Sequence, residues 1–194
     1  MEVSDQETVL AALKDRHAFS VLVDRYEMRL LRYIQRLGIF DIDVAKDILQ
    51  ETFIKVYINL NDYNRTFSFS SWIYRIAHNE TLMYFRRQKN RPVPVRSEDG
   101  LAIFEQLHDE LNLIEESDAK LRSARIGQAL EKLKQEYKDI LILRFFEEKS
   151  YDEISDILQI PSGTVATNIS RAKKALGNVL TQEHITDVYY GKDG

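Results

Sequence analysis

The sequence predicts an all-α protein: two small helical domains, an N-terminal bundle and a C-terminal unit, joined by an acidic linker. Three observations carry this. The chain has only seven Gly and three Pro, with abundant Leu, Ile, Glu, Lys and Arg. Apolar residues recur every three or four positions over long stretches, the mark of helices with one buried face. Between two such regions, Ser97 to Asp118 holds eight acidic residues (Glu98, Asp99, Glu105, Asp109, Glu110, Glu115, Glu116, Asp118) and no Lys or Arg, just after Pro92 and Pro94.

Taken in order, Val3 to Leu13 reads as a short first helix. A stronger one carries Phe19, Leu22, Val23, Tyr26, Leu30, Tyr33, Ile34 and Leu37 on one stripe and ends near Gly38. Asp41 or Asp43 can cap the next, which carries Val44, Ile48, Leu49, Phe53, Val56 and Leu60. Asn61 to Ser71 is polar and loop-like but holds Phe67 and Phe69. A third long helix starts near Ser70 or Ser71 and runs to about Asn90, where Pro92 and Pro94 stop it. These helices can bury one another's stripes as a bundle over residues 1–91. Residues 92–117 form the linker, with Leu101, Ile103, Phe104, Leu107, Leu111, Leu113 and Ile114 scattered through it. A second unit covers 118–180, with helices expected near 119–132, 136–146, 150–159 and 162–177. Residues 181–194 read as a polar tail.

The most strongly patterned stretch is Ser150 to Leu176. Ser150 followed three residues later by Glu153 is a capping box. Pro161 ends that helix, Gly163 is expected to free the backbone for a tight turn, and Ser162 to cap a second helix. The second helix repeats apolar Val165, Ile169, Ala172 and Leu176; Ile154, Ile157, Leu158 and Ile160 supply the matching face. Two short helices across a Gly-containing turn make a helix-turn-helix, whose second helix enters a DNA major groove. From Ser162 to Leu176 the charges are Arg171, Lys173 and Lys174, with no acid. The plain alternative is an αα-hairpin in a helical bundle.

The net charge of −4 hides this distribution, because the acidic segment alone carries eight negative charges. An apolar content of 44% suffices for packed cores, and no 18-residue apolar run spans a membrane. The acidic start, M-E-V-S-D-Q-E, lacks the basic region of a signal peptide. The absence of Cys fits a reducing cytoplasm and rules out disulfides and thiolate metal sites. His17, His78, His108 and His184 lie far apart, with no H-E-x-x-H, Gly-rich phosphate loop or G-x-S-x-G, so neither an enzyme nor a cofactor or metal is expected.

The third helix, Ser70 to Arg91, interleaves Arg75, Arg86, Arg87, Lys89 and Arg91 with Trp72, Tyr74, Tyr84 and Phe85, against one acid, Glu80. Cations beside rings suit a single-stranded nucleic acid: phosphates take the charges and unstacked bases stack on rings, at roughly 1–3 kcal/mol per base. Against this, Ile73, Ile76, Ala77 and Tyr84 have core spacing, and Arg86 to Arg91 also complement the helix dipole.

Asp47-Ile48-Leu49-Gln50-Glu51-Thr52-Phe53, then Phe69-Ser70-Ser71-Trp72-Ile73-Tyr74-Arg75-Ile76-Ala77-His78-Asn79, then the C-terminal helix-turn-helix together resemble the extracytoplasmic-function sigma factors of bacterial RNA polymerase. The resemblance covers nearly the whole chain apart from linker and tail. It implies a region 2 that binds the β′ coiled coil of core polymerase and melts the −10 element. It also implies a region 4 that sits on the β flap and reads the −35 element, and an anti-sigma protein as regulator. Carried over, Asp47, Gln50, Glu51 and Phe53 would face core polymerase. Asn79 would capture a flipped −10 base, with the Asn61–Ser71 loop, including Phe67 and Phe69, forming part of the pocket. Trp72 and Tyr74 would support the melting helix, and Arg75 and Arg86 to Arg91 would hold phosphates. Thr164, Thr167, Asn168, Arg171, Lys173 and Lys174 would face the −35 duplex. The family's usual G-T-V-K/R-S-R is here G-T-V-Ala166-Thr167-Asn168, so two cations are missing, and Asn168 suits adenine better than guanine. Ser155 stands where the family has Ala, a small-for-small change.

Magnitudes favour a partner. Three cations neutralise about three phosphates, against the roughly 6–10 contacts of self-sufficient operator binders. A linker of about 25 residues averages nearer 30 Å as a free coil. Promoter elements about 25 base pairs apart lie roughly 85 Å apart. The competing readings are a free-standing helix-turn-helix regulator and a helical protein-binding adaptor.

Overall fold

The computed structural model describes residues 3–89 and 126–190, apart from the side chains of 89 and 183–190. The linker 92–117 with its apolar residues Leu101 to Ile114, and Arg91, lie outside the described residues.

All described regular structure is helical, as expected. Helix α1, Asp5–Lys14, begins at a capping box in which Ser4 and Glu7 satisfy each other's backbone N–H groups. A short 3₁₀ turn, Arg16–Ala18, leads into α2, Phe19–Arg36. Most of the expected stripe is its buried face: Leu22, Tyr26, Leu30, Tyr33, Ile34 and Leu37 are closed to solvent, while Phe19 and Val23 at its start are only half-buried. Helix α2 stops where Gly38 takes φ +113°, a left-handed backbone that side chains resist. Asp41 caps α3, Ile42–Ile58, by accepting from the N–H groups of Asp43 and Val44. After a 3₁₀ turn at Leu60–Asp62 and a tight loop, Ser68 accepts from the N–H of Ser71 and α4 runs Phe69–Lys89. These four helices pack into the predicted bundle.

The second unit starts with a helical segment at 126–131, then α5, Gln135–Leu141, which loosens into a π-helical turn at Ile142–Phe146. Helix α6, Tyr151–Leu158, and α7, Ser162–Tyr190, form the helix-turn-helix. Ser150 and Glu153 make the expected capping box. The turn itself differs from expectation. Gln159, not Gly163, takes the left-handed backbone, at φ 55°. Gly163 already lies in the first turn of α7, which begins at Ser162 rather than being capped by it; the Pro161 carbonyl accepts from the N–H groups of Thr164 and Val165. The Ser155 hydroxyl fixes this turn by donating to the Ile160 carbonyl at 2.6 Å, so its presence in place of Ala is not neutral.

Helix α7 also outruns the expected end near 177 and takes in most of the segment read as a polar tail. Gly177 does not break it, because its backbone stays helical and the Thr181 hydroxyl donates back to the Gly177 carbonyl at 2.8 Å.

The two units touch directly, with α6 against α4 and the π turn against α2 and α4. Buried apolar residues of both, from Leu22 and Ile73 to Ile140, Ile154 and Val165, belong to one continuous cluster.

Candidate functional site

Three surfaces carry the sequence-predicted residues. The first is an open apolar groove of about 710 Å³ between α2 and α3. Phe19, Val23, Leu31, Leu49, Phe53 and Tyr57 line it, and Phe19 meets Tyr57 and Phe53 edge-on at 5.2 and 6.4 Å. Gln50 and Phe53 fall within the lining, while Asp47 and Glu51 are exposed on the same helix and outside it. Ile54, Tyr57 and Ile58 stay 43%, 47% and 68% exposed along its rim. An apolar groove bordered by charged side chains has the shape and chemistry to accept an amphipathic helix. Phe19, Tyr57 and Ile58 were not expected here. Their signal was present: α3 has apolar residues on two faces, one more than a bundle uses.

The second surface is the α3–α4 loop with the front of α4. The loop closes through Asn64, whose side-chain oxygen accepts from the N–H and hydroxyl of Thr66 at 3.0 and 2.9 Å, and whose carbonyl accepts from the Phe67 N–H. The Tyr63 hydroxyl donates to the Phe67 carbonyl at 2.7 Å. Phe67 is thereby held outward, 45% exposed, above an aromatic cluster. In that cluster Trp72 lies 5.2 Å from Tyr63 and 5.7 Å from Phe69, and Phe69 meets Tyr26 at 5.6 Å. Phe69, Trp72 and Tyr74 are buried, so they brace the loop and helix rather than offer a face. Asn79, Arg86 and Arg87 are exposed. Beside Asn79, Glu80 is held by Lys55 at 2.6 Å. Arg75 is half-buried near Asp156 of α6; burial lifts the Asp156 carboxyl above its usual range and the Arg75 charge pulls the other way.

The third surface is the outer face of α7. Val165, Ile169 and Ala172 anchor the helix inward. Thr167, Arg171, Lys173 and Lys174 are exposed, and Thr164 and Asn168 half-buried. Lys173 also lies 5.9 Å from the ring of Phe145. Three polar residues and three cations along the outward side of one helix fit a duplex groove. Among the described residues no cluster of His, Asp and Glu could hold a metal, and no helix is long and apolar enough to cross a membrane.

Sequence reasoning missed a set of charged residues between the units. Arg36 of α2 pairs with Glu147 at 2.5 Å, each side chain only 6% exposed, and the second Glu147 oxygen accepts from the Tyr74 hydroxyl at 2.7 Å. Lys149 donates to Ser70 at 2.6 Å and lies 4.1 Å from the Tyr74 ring centre. Burial holds the Lys149 ammonium below its ordinary pKa; burial and then the Glu147 charge raise that of Tyr74. His78 and Asp139 face each other at 3.7 Å, with the Tyr33 hydroxyl 3.0 Å from the other ring nitrogen. Burial pushes Asp139 up to about 7 and His78 down to about 4.

A family model described as Sigma-70 region 2 matches residues 22–91, and one described as Sigma-70, region 4 matches 123–176. The chain is 34% identical over 166 residues to the ECF RNA polymerase sigma factor SigW of Bacillus subtilis, covering 84% of this chain and 88% of that one. It is 34% identical over 171 residues to the RNA polymerase sigma-H factor of Pseudomonas aeruginosa, covering 86% and 88%. Among solved structures, CnrH in complex with the cytosolic domain of CnrY matches with TM-score 0.67 and 23% identity, over 92% of this chain and 97% of that one. The sigma factor RpoE of Bartonella quintana, in complex with the anti-sigma factor NepR, matches with TM-score 0.63 and 20% identity, over 84% and 96%. These two show the same fold. With both sigma regions matched and full-length relatives above 30% identity, the chain belongs to the extracytoplasmic-function family of RNA polymerase sigma factors.

Proposed function

We propose that this chain directs core RNA polymerase to a specific set of promoters, working in the cytoplasm and performing no catalysis of its own. Residues 1–91 form the core-binding and −10 unit and residues 118–180 the −35 unit, with the acidic segment 92–117 strapping them together. The groove between α2 and α3 takes the β′ coiled coil: Phe53, Tyr57 and Ile58 supply apolar area, and Asp47, Gln50 and Glu51 fix register along its edge. Asn79 and Phe67 face the melted −10 strand, one by hydrogen bonds to an extruded base and the other as a stacking face. Phe69, Trp72 and Tyr74 hold that surface rigid, and Arg75, Arg86 and Arg87 draw in phosphates. Thr164, Thr167, Asn168, Arg171, Lys173 and Lys174 meet the −35 duplex. An anti-sigma protein is the expected regulator, silencing the chain by covering one of these faces.

The observation that carries the residue assignments is the α3–α4 loop. Two side chains and a backbone carbonyl keep Phe67 in solvent, against the cost of an exposed ring, while the exposed Asn79 shares its helix with the cluster that braces the loop. The test is transcription in vitro with core polymerase, this protein and a promoter library. Promoter-specific transcripts are expected, with none from core alone. Tyr57→Asp should cost at least tenfold in core affinity by a pull-down titration with thermal stability unchanged. A groove variant that binds core normally would remove that assignment.

A further inference from the structure

The contact between the two units sets a buried network of charges within a shared apolar cluster, and it occupies surfaces needed elsewhere. The Glu147 carboxylate lies at its centre, holding Arg36 of α2 with one oxygen and Tyr74 of α4 with the other. Lys149, two residues on, reaches Ser70 at the start of α4. Both side chains project from one feature: the Glu147 N–H bonds back five residues to Ile142, Glu148 takes φ 53°, and the Lys149 N–H then reaches the Leu143 carbonyl. The chain is thus bent to carry an acid and a base to the first unit. Buried ion pairs of this kind add little net stability compared with apolar contact, but they specify one arrangement sharply and fail when one partner is lost. A contact organised around such a network loosens when one of its charges is removed, as a clasp does.

The clasp lays α6, first helix of the helix-turn-helix, along α4, the helix assigned to the −10 element, and brings Asp156 to Arg75. Units in direct contact cannot also sit on promoter elements roughly 85 Å apart. We propose that the free chain carries its own off-state: the second unit is latched onto α2 and α4 through Glu147 and Lys149, and the latch must open before a promoter is read. The proposal rests on the sigma-factor reading for what is switched off, but the latch is a property of the chain by itself.

The absence of Cys gives a clean test. Cysteines placed at the exposed Asp62 and Asn178 of the full chain carry spin labels, and pulsed electron resonance reads the distance distribution between the units. The unmodified clasp should give one narrow peak. Glu147→Gln keeps the shape and removes the charge; it should raise the open fraction relative to closed by tenfold or more. Ser70→Ala, which strips Lys149 of its acceptor and leaves the Glu147 site intact, should do so more weakly, and covers the case in which Glu147→Gln fails to fold. In run-off transcription at limiting core, both variants should initiate faster than wild type. A broad distribution in the wild-type chain, or no broadening in either variant, overturns the latch. Broadening with no gain in initiation overturns its inhibitory role. Wild-type protein that supports no promoter-specific transcript refutes the sigma reading instead, and leaves the distance result to judge the latch.

Discussion

Gln159 occupies a left-handed backbone position at φ 55°, where an L-side chain is strained and Gly is not. Its amide recovers part of that cost by donating to the Asp156 carbonyl at 2.7 Å, on the exposed side of the turn. Ser155 supports the same turn from within, through the Ile160 carbonyl. The two residues should therefore respond in opposite directions. Gln159→Gly relieves strain at an exposed site and is expected to stabilise the chain by about 0.5 kcal/mol. Ser155→Ala leaves a part-buried carbonyl without its donor and should cost about 1 kcal/mol. Urea denaturation at constant m-value separates these outcomes. Equal and unchanged midpoints would mean that the turn is set by Pro161 alone. This single turn also shows where sequence reading stops: I-P-S-G advertises a break, but which residue takes positive φ depends on how the two helices dock.

At the scale of elements, amphipathic period and capping chemistry made α1 to α4 and the helix-turn-helix legible. The α2 stripe is buried as spaced from Tyr26 to Leu37, while Phe19 and Val23 line the groove, and Asp41 and Ser150 cap the helices they were expected to cap. Helix ends set by tertiary contact were not legible. The π turn at Ile142–Phe146 has no local signature, because F-F-E-E-K reads as the ragged end of an ordinary helix until Glu147 finds Arg36 and Tyr74. Helix α4 shows the same limit for the site. Its sequence interleaves rings and cations without saying which rings are buried; the structure buries Phe69, Trp72 and Tyr74 and leaves Asn79, Arg86 and Arg87 outside. The division has a measurable consequence. Trp72→Ala removes the centre of an aromatic cluster and should destabilise the fold by about 3–5 kcal/mol, losing promoter opening along with it. Asn79→Ala removes an exposed side chain and should change stability by less than about 0.5 kcal/mol while abolishing most open-complex formation. Thermal melting beside permanganate footprinting of the −10 strand distinguishes the two. A stable Trp72→Ala chain that still melts DNA poorly would return Trp72 to the contacting residues.

Across the whole molecule, the pair His78 and Asp139 ties the contact between units to pH. Asp139 faces His78 from α4 and Tyr33 from α2, with Gln135 and Lys138 beside it on α5. With the units apart, both groups are taken to titrate at their ordinary values, 3.8 and 6.5; together, burial raises the acid to about 7 and lowers the base to about 4. Near pH 5.5 either state holds about one proton on the pair, carried by the imidazole when open and the carboxylate when closed. As pH rises the open pair loses that proton from the imidazole near 6.5 and the closed pair from the carboxyl near 7, in much the same range. The raised acid thus favours closure below its closed value and loses that contribution as pH climbs through it; the lowered base acts in reverse, penalising closure in acid. Their contributions nearly cancel, so going from pH 8 to 5.5 should leave the wild-type balance between open and closed almost unchanged. Asp139→Asn removes the acid's share and leaves His78 alone, so the same change should drive that variant about tenfold toward open. A strong pH response should therefore emerge with one substitution that barely alters shape, as read by the distance between labelled units at the two pH values. If both chains respond alike, the pair does not set the equilibrium, and closure is governed by Glu147 and Lys149 without help from protons.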